Sequence, residues 1–345
     1  MKTKLSLIIS ATTLAAVSGS YAQTAVTDPV GYITHPINAA VSATIPSVTL
    51  VAATLVNKTD FAAVTVNAGG TASVEATGAT AGLDESSYLE IKSGPNEGWW
   101  STIQSSTAGT ITTKDALPAS AGAGTSFIVR KHMTILGLMG ANAAGLDTGT
   151  GTDNADEVQI LDSGSTPQAV RSYFYATGAD GAPTDGWFDP GGGSADNVAI
   201  VPGTAVQVVR KLTSGASMIS VGHVKTTKTQ IDVFTGTNWI APMRATGVTL
   251  GASGFNTGVT TTGVLQGTST ADADEIQFLL APSGGSQALL TFFAADAAAT
   301  GASGFFDPGT NSQDDKNVPE YEGVILSRKS PTAAILTVPA VTIAP

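Results

Sequence analysis

The 345-residue chain contains no cysteine, which excludes disulfides and thiolate chemistry. Histidine is nearly as scarce. His35, His132 and His223 are far apart and none belongs to a His-x-x-x-His pair, the spacing that would place two zinc ligands on one helix face. Charged residues make up only 12% of the chain, and the formal net charge is −11. Scattered Lys and Arg on an acidic chain form no basic patch, so nucleic acid and anionic membrane surfaces are poor partners. No Gly-Lys pair occurs, which removes the phosphate-binding loop. Gly251-Ala252-Ser253-Gly254-Phe255 and Gly301-Ala302-Ser303-Gly304-Phe305 depart from the Gly-x-Ser-x-Gly nucleophile elbow at its last position. Beyond the N-terminus no apolar run is long enough to span a bilayer. Aromatics are 6% of residues, too few for the girdles of an outer-membrane barrel.

Against these absences stand 39 glycines and abundant Ala, Thr and Ser, a β-rich and turn-rich composition. Residues 1–22 read as a targeting segment: a basic Met1-Lys2-Thr3-Lys4, an apolar Leu5 to Val17, and Ser20-Tyr21-Ala22 as the cleavage site before Gln23. Loss of Lys2 and Lys4 with it takes the net charge from −11 to −13. The expected location is secreted, extracellular or at the cell surface.

One cassette organises the rest. It runs from Asp156-Glu157 through Gly186-Trp187-Phe188-Asp189-Pro190-Gly191 to Arg210-Lys211, and again from Asp274-Glu275 through Gly304-Phe305-Phe306-Asp307-Pro308-Gly309 to Arg328-Lys329. The offsets agree: 274 − 156, 307 − 189 and 328 − 210 are all 118. A constant offset over a whole segment implies a related structural unit. Phe174 and Phe292 fit the same offset, whereas Asn197 matches Asn317 at 120 and Gln168 matches Gln287 at 119, which places slips in the loops. Residues 86–131, ending at Arg130-Lys131 and containing Gly98-Trp99-Trp100, read as a third, diverged copy. The fold predicted is all-β, with tandem related cassettes, sandwich- or barrel-like, in an elongated body. The units predicted are residues 23–133, 134–228 and 229–345, the last including C-terminal strands.

Gln168 to Ala176 and Ser286 to Ala295 are both predicted as strands, although alanines in the second favour helix, because the first copy is aromatic and β-leaning. The doublets Trp99-Trp100, Trp187-Phe188 and Phe305-Phe306 lie on strands, where neighbours point to opposite faces. One ring of each is expected in the core and the other partly covered; exposed rings would instead stack on sugars. Asp189-Pro190-Gly191 and Asp307-Pro308-Gly309 read as turns. Asp156-Glu157 and Asp274-Glu275 cannot each supply two facing carboxylates, so they read as charged strand entrances rather than glycosidase pairs. Asp147, Asp153, Asn154 and Asp156 share one Gly/Thr-rich loop, and Asp272, Asp274, Asp314 and Asp315 recur later. Hard oxygens on such a loop are a ligand set for Ca²⁺, against the alternative of a solvated acidic loop.

Asp28-Pro29-Val30-Gly31-Tyr32, Glu90 to Gly98 (Glu-Ile-Lys-Ser-Gly-Pro-Asn-Glu-Gly) and Asp153-Asn154-Ala155-Asp156-Glu157-Val158, behind a targeting segment, resemble a paralogous family of secreted proteins from the Verrucomicrobia and relatives. The resemblance covers nearly the whole chain after residue 22. It implies an exported state and carries no catalytic residue across. The function expected is a secreted, non-catalytic structural or cell-surface protein that assembles with itself by strand exchange through its β-prone ends, Val30 to Thr34, Ala334 to Val338 and Val341 to Ile343. The alternative is a polysaccharide-binding module, and a secreted hydrolase has the least support.

Overall fold

The computed structural model describes residues 29–341 apart from 68, 80, 142–144, 256–263, 297–300 and 302. The expected targeting segment, residues 1–22, and positions 342 and 343 of the last expected strand lie outside the described residues.

The fold is nearly all β, as predicted. The chain opens with β1 (Val30–Ile37) and β2 (Ser47–Ala52). It continues through β3 (Thr59–Val64), β4 (Ser73–Glu75), β5 (Ser87–Ile91), β6 (Trp100–Thr107), β7 (Thr110–Thr113) and β8 (Ser126–Lys131). After β9 (Met133–Thr134) comes a single turn of helix, α1 (Ile135–Met139), capped by the Thr134 hydroxyl accepting from the Gly137 N–H. Next are β10 (Glu157–Asp162), β11 (Ala169–Ala176), β12 (Gly186–Phe188), β13 (Ala199–Ile200), β14 (Ala205–Arg210) and β15 (Ala216–His223). The last stretch holds β16 (Thr229–Val233), β17 (Gly236–Ile240), β18 (Val248–Thr249), β19 (Glu275–Leu279), β20 (Leu289–Ala295), β21 (Gly304–Phe306), β22 (Asn317–Val318), β23 (Val324–Arg328) and β24 (Ala334–Val338).

Two five-stranded antiparallel sheets have the same order, β12-β11-β10-β14-β2 and β21-β20-β19-β23-β17. Each faces a two-stranded ribbon, β1–β15 in one case and β16–β24 in the other. The first core joins Val158, Ile160, Trp187 and Val208 of the sheet to Ile37 and Met218 of the ribbon and to Ile135 and Leu138 of α1. The second joins Ile276, Phe278, Phe305 and Leu326 to Ile231, Val233, Leu336 and Val338. Both are open, sandwich-like layers. A six-stranded sheet, β3-β8-β5-β6-β7-β4, encloses the third core around Leu89, Ile103, Ile111 and Phe127.

The connectivity departs from a simple tandem array. β1 and β2 lie within residues 23–133, yet β1 pairs with β15 and β2 with β14. The six-stranded unit (here unit C, residues 57–132) is therefore inserted into the first sandwich (unit A), between β2 and β9. Unit B, residues 229–341, is continuous.

Pairing also resolves the slips. Phe174 lies opposite Glu157 and stacks near Phe188, with centroids 6.3 Å apart; Phe293 lies opposite Glu275 and near Phe306, at 6.4 Å. The counterpart of Phe174 is thus Phe293, not Phe292, and the whole strand is offset by 119, in step with Gln168 and Gln287. One extra residue in the preceding turn accounts for this. Ala199 pairs with Thr134 as Asn317 pairs with Thr249, so Asn197 and Asn317 are not equivalent.

Units A and B meet through reciprocal contacts. Val51 bridges Glu322, and Ile240 bridges Thr204, positions 118 apart (322 − 204). The Ala52 N–H donates to Tyr321 O at 3.0 Å and the Ala241 N–H to Gly203 O at 2.8 Å. Gln287 Oε1 accepts the Val48 N–H at 2.7 Å and its amide donates to Val48 O, while Gln168 does the same to Thr237 at 3.0 Å for both bonds. Each glutamine occupies the outer edge of the other unit's terminal strand, where an unpaired backbone would otherwise be left. Leu50, Ala52, Ala205, Ala241 and Met243 fill the seam.

Candidate functional site

The residues singled out in the sequence are mostly structural. Asp156 and Arg210 form an ion pair at about 2% exposure or less, and Asp274 pairs with Arg328 at 3.2 Å in the same surroundings. Asp156 Oδ1 also accepts the Lys211 N–H at 2.6 Å and Oδ2 the Asp147 N–H at 2.7 Å. Asp274 repeats this with Lys329 at 2.7 Å and Leu265 at 3.0 Å. Lys211 then reaches Glu157 at 3.2 Å and Lys329 reaches Glu275 at 2.8 Å. Both Asp-Glu dipeptides are consumed by these locks. In unit C, Tyr88 stands opposite Arg130 where the Asp would be, and Glu90 takes its place, 3.9 Å from Arg130 Nε and ion-paired with the buried Lys225.

Asp147, Asp153, Asn154 and Asp156 do lie in one loop, but the loop closes on itself. Asp156 is turned inward on Arg210. Asn154 accepts from the Gly151 N–H at 3.1 Å and donates to Thr150. Asp153 is exposed. In the later copy Asp272 accepts the Thr268 and Ser269 N–H groups, which hold its carboxyl down to about 2, Asp314 accepts from Phe305 at 2.9 Å, and Asp315 is exposed. Among the described residues no three His, Cys, Asp or Glu side chains gather as a metal ion needs.

The aromatic doublets differ from expectation. Trp187 is 0% exposed and Phe188 9%; Phe305 and Phe306 are likewise both buried. Neighbouring rings do point to opposite faces, but both faces are covered: Trp187 enters the sandwich core, and Phe188 packs with Phe174, Ala176 and Ala155 on the far side. Glycine precedes Trp187-Phe188 and Phe305-Phe306 because a carboxylate crowds the space of its Cβ, whereas at Gly98 the Lys228 carbonyl lies there, 2.5 Å from a Cβ. A Cβ at Gly304 would lie 2.4 Å from Asp314 Oδ2, and that Asp accepts the next N–H. The Asp-Pro turns are as read, with Asp189 Oδ1 accepting from Gly191 at 2.7 Å and Gly193 at 3.0 Å.

What the sequence does not reveal is a cleft of about 560 Å³ where units A, B and C meet. Unit C contributes Trp100, Thr102, Lys114 and Asp115; unit A contributes the turn Asp162 to Ser165, Arg171 and Thr204; unit B contributes Asp232 and Phe234. Trp100 is fixed by its indole N–H donating to Gln230 O at 2.9 Å and by edge contacts with Tyr88 and His132. Gly164 lies against the Phe234 ring, where a Cβ would come within 3.2 Å of Cζ. Ser101 Oγ holds Asp115 at 2.9 Å. Asp232 stands on the rim; crowding by the cleft wall, and then the charge of Asp115, raise its carboxyl above the usual range. Among the described residues Lys114, Asp162, Arg171 and Asp232 have no ion-pair partner, so these charges face the cleft uncommitted.

Family models, characterised proteins and solved structures were compared with this chain, and none matches. The molecule supplies its own comparison instead. The counterpart cleft on the other side of the A–B seam, about 260 Å³, is lined by Pro36, Asn38, Phe278 to Ala281, Lys316, Tyr321 and Glu322. Through the strand registers Asp232 corresponds to Pro36, Asp162 to Leu280, and Arg171 to Leu290. The same scaffold thus folds without these charges. In the counterpart, burial raises the Glu322 carboxyl to about 7 against the opposing pull of Lys316. His35, adjoining it, is buried and lowered to about 4 by loss of water, and contacts Ser220 Oγ at 2.8 Å. No helix among the described residues is long and apolar enough to cross a membrane.

Proposed function

We propose that this chain is an exported, non-catalytic surface protein that holds a neutral, polyhydroxylated ligand, a segment of extracellular polysaccharide, in the three-unit cleft. The observation that carries the reading is the contrast between the two clefts. Asp162, Arg171 and Asp232 stand where the counterpart has Leu280, Leu290 and Pro36, and unit C adds Lys114 and Asp115 to the same space. Carboxylates and serine hydroxyls accept sugar O–H groups, Arg171 and Lys114 donate to sugar oxygens, and the Trp100 and Phe234 rings suit the C–H face of a pyranose. A volume of about 560 Å³ at a junction of units is of ligand-site size. Three carboxylates against two cations disfavour polyanions.

The test is calorimetric titration with neutral oligosaccharides of several linkages. Saturable binding is expected, and Asp162→Leu with Arg171→Leu, which install the residues found at the counterpart positions, should weaken it at least tenfold at an unchanged melting temperature. Absence of saturable binding to every glycan, or affinity indifferent to the two substitutions, refutes the reading. Cleavage of the bound glycan would replace it with a hydrolase.

A further inference from the structure

Two of the β-prone segments expected at the ends are paired within the chain: β1 with β15 and β24 with β16. One long edge nevertheless remains open. Pro29 O accepts the Val224 N–H at 2.7 Å, which makes 29–224 a hydrogen-bonded pair of the β1–β15 ladder. Hydrogen-bonded and non-bonded pairs alternate in an antiparallel ladder. Gly31, Ile33, His35 and Ile37 therefore bond to β15, while the backbone groups of Val30, Tyr32 and Thr34 point the other way. Among the described residues no partner meets them there.

The other ribbon shows what such an edge does when covered. Thr34 lies opposite Ile219 as Gln230 lies opposite Thr337. The Gln230 N–H donates to Gly98 O at 3.0 Å and its carbonyl accepts from Trp100 Nε1 at 2.9 Å, so unit C occupies that edge. Lys228, beside it, binds Glu97 through its N–H at 3.1 Å. The covered edge is polar: Lys228, Gln230, Asp232. Its bare counterpart carries Tyr32, Thr34 and Pro36. Tyr32 is 72% and Val30 67% exposed, and Ile219 and Val221 of β15 extend the same face at 61% and 62%.

We infer that β1 is the edge through which two copies of this chain pair, antiparallel about a two-fold axis at Tyr32. The occupant is set by charge and by register. β1 and β15 contain no Asp, Glu, Lys or Arg, whereas the whole chain carries −11. Two acidic copies approach with least repulsion along this strip. With Tyr32 opposite Tyr32 of the partner copy, Val30 meets Thr34, and all three pairs present outward N–H and C=O groups to one another, the geometry of strand addition. Pro36 has no N–H and ends the pairing on each side. The result is a four-stranded ribbon that closes as a dimer, an isologous contact rather than a filament. It is independent of the glycan reading.

Sedimentation of the exported chain measures it directly. A monomer–dimer equilibrium is expected, with the Tyr32 and Thr34 amides exchanging hydrogen more slowly as concentration rises. Tyr32→Lys places like charges face to face across the axis and should abolish the dimer while the melting temperature of the dilute monomer stays unchanged. Thr34→Pro removes one outward N–H without touching the β15 ladder and should weaken dimerisation at least tenfold. A native chain that stays monomeric at on the order of 100 μM, a Tyr32→Lys dimer as tight as the native one, or open-ended polymers in place of dimers would each overturn the inference.

Discussion

Replacing Asp156 by Asn tests the buried lock on which each sandwich closes. The side chains keep their shape while one charge is removed, leaving Arg210 at 2% exposure without a counter-charge. Breaking a buried pair from one side costs about 3–5 kcal/mol. The structure supports a value inside that range rather than below it. Asp156 accepts from the Lys211 and Asp147 N–H groups and from Arg210, and an amide has one oxygen where the carboxylate has two. At least one donor then faces an NH₂ group, which by itself costs about 1–3 kcal/mol. Gly145 O and Ser214 O still hold the guanidinium at 2.9 and 3.1 Å, which limits the loss. Urea unfolding, read by hydrogen exchange peptide by peptide, should show unit A destabilised by about 3–5 kcal/mol with unit B less affected; Asp274→Asn should do the reverse. Adding Arg210→Met to Asp156→Asn should restore part of the loss, because the orphaned charge is gone. A loss under about 1 kcal/mol, or equal loosening of both units by either substitution, refutes the reasoning.

Acid should weaken the fold through His35 and His132, both held near 4 by burial. Their unfolded value is about 6.5, so the unfolded chain binds more protons between these limits; each contributes up to about 3 kcal/mol above pH 6.5 and loses it as pH falls towards 4. Glu322, raised to about 7, acts in the opposite sense: its contribution is full below about 4.5 and is lost as pH rises through 7. A denaturation midpoint that does not fall from pH 6.5 to 4.5, or falls equally in a His35→Asn, His132→Asn double variant, contradicts this assignment. Trp187→Ala should cost about 3–5 kcal/mol in unit A, and an unchanged unfolding midpoint would show that the ring is not a core anchor. Chelation by EDTA should leave the melting temperature unaltered, since Asp156 is already neutralised by Arg210; a fall would show that the 147–156 loop depends on a cation.

Much of the local architecture is legible because it repeats. Asp156 with Arg210 and Asp274 with Arg328 are each 54 residues apart, and that spacing survives because both members of the pair are buried. The β assignment of Leu289–Ala295 against its alanine content follows from Ala169–Ala176 in the same way. Other features have no local signature. β2 is as apolar as any central strand, and nothing in its residues says that its partner is β14 rather than β3. The burial of both rings in Trp187-Phe188 depends on Phe174 and Ala155 covering the second face, which alternation alone does not convey. The cleft arises from three units, and its charged residues, Lys114, Asp115, Asp162, Arg171 and Asp232, are ordinary surface residues in the one-dimensional sequence.

The insertion of unit C sets an order of assembly. Val48 of β2 must find Val209, 161 residues later (209 − 48), whereas Ser87 and Lys131 within unit C are 44 apart (131 − 87). Shorter loops close sooner, so the insert folds while the strands of its host are still waiting. Once folded, it grips its own entrance and exit: Arg130 donates to Asn57 O at 2.7 Å, and the Asn57 amide donates to His132 O at 2.9 Å. An 80-residue gap between β2 and β9 then behaves like a turn of about five residues, four halvings in length, which lowers the entropy cost of joining the two halves of unit A by about 2 kcal/mol. Unit C is in this sense a folding clamp for the sandwich that surrounds it, and any lesion that unfolds it, such as loss of the Asn57 grip, should slow the maturation of unit A without touching a single residue of that unit's core.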